Sequence, residues 1–225
     1  MIRNREKKLN EIIKGIHHQV YRRIDEQYRH GPSLYFYGKI IDLRREAGSL
    51  SVFFDSVVNT EYLYATLGLW DMNTRGANMK DFDPFMKILQ KNKRDLLALE
   101  SMFPESIGWM DSSLKDRIGK ALHKVYLGMK LMKTKRRLVS NSKILHFMFP
   151  DFLMPMDNNH TLKCLTSGES AVGSESWKKY WEITEFAFDV MHMVDGRDVK
   201  LDDGFNKSLP KIVDNVIILS TRNNL

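Results

Sequence analysis

Residues 113–132, SLKDRIGKALHKVYLGMKLM, carry apolar side chains at Leu114, Ile118, Leu122, Val125, Tyr126, Met129 and Met132. Steps of three and four return each of them to one side of a helix that turns every ~3.6 residues. Ser113, with Asp116 three residues on, has the form of a capping box and marks the start. The same pattern extends in both directions. Upstream, Leu9, Ile12, Ile13, Ile16, Val20 and Ile24 share one face of a helix expected over residues 3–28, which Gly31-Pro32 closes. Further helices are expected near residues 34–45, ending at Gly48, and near 60–70, with Asp83-Pro84 as the cap and first residue of another. Downstream they are expected near 142–149, 158–165, 174–193 and 206–220. Only Val213 to Leu219 has the β-branched content of a strand, and a lone strand has no partner to pair with. The fold class is therefore all-α, a single helical domain over residues 1–225 in one compact body or two packed lobes.

Composition narrows the chemistry. Thirty-five Lys and Arg stand against 28 Asp and Glu, a net charge of +7 that favours polyanionic partners. Cys164 is the sole cysteine, so an intrachain disulfide, a thiolate zinc site and a four-cysteine iron–sulfur cluster are all excluded. The histidines lack ligand spacing; His17 and His18 are adjacent and do not share a helix face. No cofactor and no metal are expected. The most apolar stretch, residues 144–156, is broken by His146, Pro150, Asp151 and Pro155, and the first eight residues are charged. A membrane span is not expected, and the cytoplasm is the expected location.

The densest basic run, Lys130, Lys133, Lys135, Arg136 and Arg137, leads into Ser140-Asn141-Ser142-Lys143 and a new helix. A basic helix end followed by a polar turn offers backbone N–H groups and a helix N-terminus to a phosphate. The same residues also suit a helix C-terminus complementing its own dipole. Pro155-Met156-Asp157-Asn158-Asn159-His160 follows, an acid that ends an apolar segment and heads another helix.

Residues 137–160 resemble the helix–hairpin–helix DNA glycosylases, in which a helical hairpin grips a DNA phosphate and a catalytic aspartate follows an apolar helix. The hairpin turn of that family is glycine-rich; Ser140, Asn141 and Ser142 stand in its place here. Together with Leu63-Tyr64-Ala65-Thr66-Leu67 and Trp70-Asp71-Met72, the run also resembles a prokaryotic group associated with antiviral DNA glycosylases. Members of that group are thought to remove glucosylated hydroxymethylcytosine from phage DNA. The resemblance implies a hairpin near residues 121–149, DNA as partner, and DNA contacts from Lys135, Arg136, Arg137, Ser140, Asn141, Ser142 and Lys143. It implies excision of a damaged or modified base to leave an abasic site, with Asp157 as the catalytic carboxylate.

Cleavage of an N-glycosidic bond builds positive charge on the sugar, which an ionised carboxylate stabilises. Asp157 fits that role and fits equally an N-cap. Lys143 fits a phosphate contact or, as a neutral amine, a Schiff-base nucleophile with strand cleavage; a monofunctional enzyme is the favoured form. An extruded base needs a pocket. Trp70 can stack on it or belong to the core, while Asp71 and Asn73 can read its edge and Arg75 can meet a phosphate or sugar substituent. Two other classes compete: a non-catalytic DNA- or RNA-binding protein that uses the basic hairpin as a clamp, and a protein-interaction module. A metal nuclease built on Pro150-Asp151 and Asp198-Val199-Lys200 would need paired strands.

Overall fold

Residues 138–148 form a helix with almost no exposed face: Leu138 and every residue from Ser140 to Met148 are buried. A helix surrounded on all sides has to match each polar side chain with an internal partner. Ser140 Oγ donates to the Arg137 carbonyl at 3.0 Å, and Asn141 Nδ2 to the Tyr126 carbonyl at 2.9 Å. Ser142 Oγ donates to the Val139 carbonyl at 2.9 Å and accepts from the Met156 amide at 3.0 Å. His146 Nδ1 meets the Leu153 carbonyl at 2.7 Å, and burial lowers its pKa to about 3, so the imidazole is neutral.

This central helix is α7 of a computed structural model that describes residues 2–24, 31–72, 78–135, 137–166, 174–194 and 199–223. The preceding helices are α1 (Arg5–His17), α2 (Pro32–Glu46), α3 (Leu50–Asp55), α4 (Val57–Leu67), α5 (Phe82–Glu100) and α6 (Ser112–Gly128). After α7 come a wide π-type turn (Asn158–Leu162), the short α8 (Lys163–Leu165), α9 (Ser174–Met193) and α10 (Leu209–Asn223). Among the described residues there is no strand, only one isolated bridge between Met79 and Met132, and no helix is long and apolar enough to cross a membrane. The all-α expectation holds, and Val213 to Leu219 is helical and buried.

Two groups of helices meet at α7. In one, α2 packs on α4, α3 on α4 and α5, and α5 on α6; in the other, α1, α9 and α10 pack mutually. Helix α7 touches α2 and α4 on one side and α9 on the other, and one continuous apolar cluster runs through both groups. Close approaches are permitted by glycine: a Cβ on Gly119 of α6 would lie 2.8 Å from the Trp181 ring of α9, and one on Gly15 of α1 would lie 2.7 Å from Val216 of α10.

Local boundaries differ from the sequence expectations where other capping groups are better placed. Asp111, whose carboxylate accepts from the Leu114 amide at 2.7 Å, caps α6 in place of Ser113. Helix α5 begins with Asp81 as N-cap, so Asp83 and Pro84 lie inside its first turn. The first helix stops at His17, with Gln19 at φ +53 before a separate 3-10 turn, Val20–Arg23. Ser140, Asn141 and Ser142 are not in a turn. They lie within α7, and a nine-residue connection, 129–137, separates α6 from α7. The tight polar turn is thus corrected, because burial between two helical groups outweighs the turn preference of serine and asparagine.

Removing the Ser142 hydroxyl leaves the Met156 amide without its acceptor in a buried place. Ser142→Ala is expected to lower stability by about 1–3 kcal/mol, measured by urea unfolding.

Candidate active site

A cavity of about 430 Å³ opens where the two helical groups meet over α7. Its walls come from distant parts of the chain: Trp70 and Asp71 after α4, Lys143 on α7, Asp157 before the wide turn, and Lys211 and Asp214 on α10. Trp70, Asp71, Lys143 and Asp157, all singled out in the sequence, come together here. Lys211, Asp214 and Asn215 were not singled out.

Asp157 is extended (φ −133, ψ 146), and its Oδ1 accepts the amides of Asn159 at 2.7 Å and His160 at 3.0 Å. Its own amide donates to Thr161 Oγ1 at 3.0 Å. The N-cap role is therefore real, and it leaves Oδ2 with no hydrogen bond among the described residues. Cap and reactive carboxylate are compatible, since one oxygen holds the turn and the other is available to the cavity.

Lys143 is 9% exposed, and its Nζ donates to the Trp70 carbonyl at 2.6 Å. Burial lowers its pKa from 10.5 to about 8, opposed by the charges of Asp157, Asp71 and Asp214 and assisted by Lys211. A substantial fraction of the amine is neutral just above neutrality, as a nucleophilic lysine requires. Phosphate binding at a DNA surface is a poor fit for a side chain this deep.

Trp70 is both core and wall. Its indole stacks on Tyr37 at 5.4 Å, meets Phe147 edge-on at 4.9 Å, and lies 5.6 Å from Lys143 Nζ and 5.7 Å from Lys211 Nζ. It sits in the wide turn Gly68–Met72, where Asp71 adopts φ +62, a left-handed conformation that aspartate tolerates better than most residues. This bend brings the Trp70 carbonyl to the lysine. Asn73 and Arg75 lie outside the described residues.

On α10, Lys211 Nζ donates to Asp214 Oδ2 and Asn215 Oδ1, both at 2.6 Å. All three side chains are buried, and burial raises the Asp214 pKa, opposed chiefly by Lys211. Their spacing of i, i+3 and i+4 inside an apolar helix was the available signal: three hydrogen-bonding groups on a face that otherwise packs.

The basic segment is divided. Lys135 is exposed, and Arg137 is half-buried, with its guanidinium donating to the Leu127 carbonyl at 3.2 Å. Arg136 lies outside the described residues. Ser140, Asn141 and Ser142 are buried and internally bonded, so they are corrected from DNA contacts to structural ties between α7 and its neighbours. Helices α6 and α7 do not form a tight hairpin. No group of three or more potential metal ligands occurs among the described residues. Asp151 of the nuclease pattern is exposed and paired with Arg45 at 2.8 Å; Asp198 lies outside the described residues. Comparisons with protein-family models, curated proteins and solved structures found no match.

Because the folded pKa of Lys143 lies below its unfolded value, the folded state bears the full cost of the buried charge below about pH 8. Lys143→Met is expected to be the more stable protein at pH 7, by up to about 3 kcal/mol, and the gap should close as pH rises from about 8 towards 10.5. Denaturant unfolding at a series of pH values measures it.

Proposed function

We propose that the cavity is the active site of a DNA N-glycosylase that receives one extruded nucleotide and excises its base. The observation that carries this reading is the convergence of Asp157, Lys143 and Trp70 on one cavity of about 430 Å³, a volume in the range of small-ligand sites. An enzyme that acts on a base takes it out of the stack and holds it against aromatic and polar groups. Asp157 Oδ2 faces the sugar and stabilises the positive charge that grows there as the base departs.

Burial of Lys143 moves the balance from simple hydrolysis to attack by the amine. The neutral Nζ adds to the anomeric carbon, and the bond to the base breaks with its electron pair leaving on the base, which takes up a proton. The added nitrogen loses a proton, the sugar ring opens by C–O cleavage with its oxygen protonated, and an iminium remains. Loss of a proton from C2′ turns the iminium into an enamine, whose electron pair forms the C2′–C3′ double bond as the C3′–O bond breaks and the 3′ phosphate leaves, nicking the strand. Water then hydrolyses the conjugated iminium to an unsaturated aldehyde and frees the amine. Arg137 and the exposed Lys135, just before α7, are assigned to phosphates flanking the extruded nucleotide. A clamp without catalysis is the weaker reading, because the serines and asparagine that would grip phosphate are buried.

The test is base release from a panel of normal, damaged and hypermodified phage DNA. Asp157→Asn is expected to lower release by about 100-fold or more while DNA binding persists. Borohydride is expected to trap a covalent protein–DNA adduct with the wild type and none with Lys143→Met. The rate should rise with pH and level off above about 8 as Lys143 loses its proton. Binding without release across the panel, or release unchanged in Asp157→Asn, would contradict the proposal.

A further inference from the structure

Lys211 is 5% exposed, an ammonium deep in the wall of the cavity. Asp214 and Asn215 take two of its three N–H groups at 2.6 Å each. The third has no hydrogen-bond acceptor among the described residues, and the Nζ lies 5.7 Å from the ring centres of both Trp70 and Phe205, which line the same cavity. A buried ammonium with an unmet donor calls for an acceptor from a ligand.

The surrounding polar groups hold Lys211 in place. Asn215 Nδ2 donates to Asn206 Oδ1 at 2.8 Å, and Asn206 Nδ2 to Asp202 Oδ2 at 2.8 Å. On the other side Thr161 Oγ1 donates to Asp214 Oδ1 at 3.4 Å and accepts from the Asp157 amide at 3.0 Å. One network thus orients Lys211 and the candidate catalytic aspartate together.

The charge balance selects the kind of acceptor. On the described walls Lys211 is already paired with Asp214, and Asp157 and Asp214 balance the two lysines, so a phosphate or carboxylate inside the cavity would need positive charge that Lys143 and Lys211 do not have to spare. A neutral acceptor would not, and Trp70, Phe205, Pro155 and Met156 suit a flat ring.

We infer that Lys211 is the specificity-determining residue of the cavity, donating its third N–H to an exocyclic carbonyl oxygen of the bound base. The substrate class is a base that presents such a carbonyl. This inference rests on the glycosylase reading for the identity of the occupant, but its test does not depend on turnover.

The experiment measures binding of free hypoxanthine, adenine and unsubstituted purine to the full chain by calorimetry. The variants are Lys211→Met and, to keep the wall free of a lone buried carboxylate, Lys211→Met with Asp214→Asn. Wild type is expected to bind hypoxanthine at least about tenfold more tightly than purine or adenine, the worth of a hydrogen bond to a charged donor. Both variants should lose that preference. Equal binding of the three bases, a preference kept without Lys211, or no binding at all would overturn the inference. Carbonyl preference without base release from DNA would leave Lys211 as assigned and remove the glycosylase reading. Release with no Lys211-dependent preference would do the reverse.

Discussion

The hydrogen bond from Lys143 Nζ to the Trp70 carbonyl ties the buried helix α7 to the bend after α4, and the cavity depends on it. An amine in a core is costly as a cation. Here the cost is reduced by three aspartates and one carbonyl, and the remainder shows as a pKa lowered to about 8. The bend itself needs Asp71 in the left-handed region, a conformation kept only where surrounding contacts favour it. Strain and desolvation meet at one wall of one cavity, which is why the proposed chemistry is assigned there.

Around that point the fold acts as a frame. Helix α7 links the two helical groups, and its polar side chains set the register of their neighbours. Asn141 holds α6, while Ser142 and His146 hold the strand-like segment that delivers Asp157. Lys207, buried and paired with both oxygens of Asp42 at 2.8 Å, locks the chain before α10 to α2, and Arg45 donates to the Lys207 carbonyl at 2.8 Å. Lys211 and Asp214 are thereby presented at a fixed height in the wall. For the proposed reaction such a site would be preorganised, because its donors and acceptors are held by partners outside the cavity.

Much of this was legible in the sequence. The helical class followed from spacing alone, and α9 lies where the pattern placed it, over Ser174–Met193. Asp157 and Trp70 stood out because an acid at a helix start and an indole at a helix end have few roles. Residues 140–142 were misleading, since serine and asparagine bond their own backbone in turns and only tertiary burial shows that they are in a helix here. Helix α3 is too short for periodicity; Ser49 and Ser56, capping α3 and α4, were its only marks. Lys211, Asp214 and Asn215 lay within a segment whose β-branched residues drew attention to the strand question. Their common face becomes visible only once the helix is certain.

The most direct test of this account is the titration of Lys143 itself, followed by NMR of its side chain in the intact protein. A midpoint near 8 that falls further in Asp157→Asn, where one favourable charge is gone, is the predicted result. A midpoint near 10.5 that does not respond to Asp157 would contradict it, because the amine would then be neither buried nor electrostatically joined to the carboxylate.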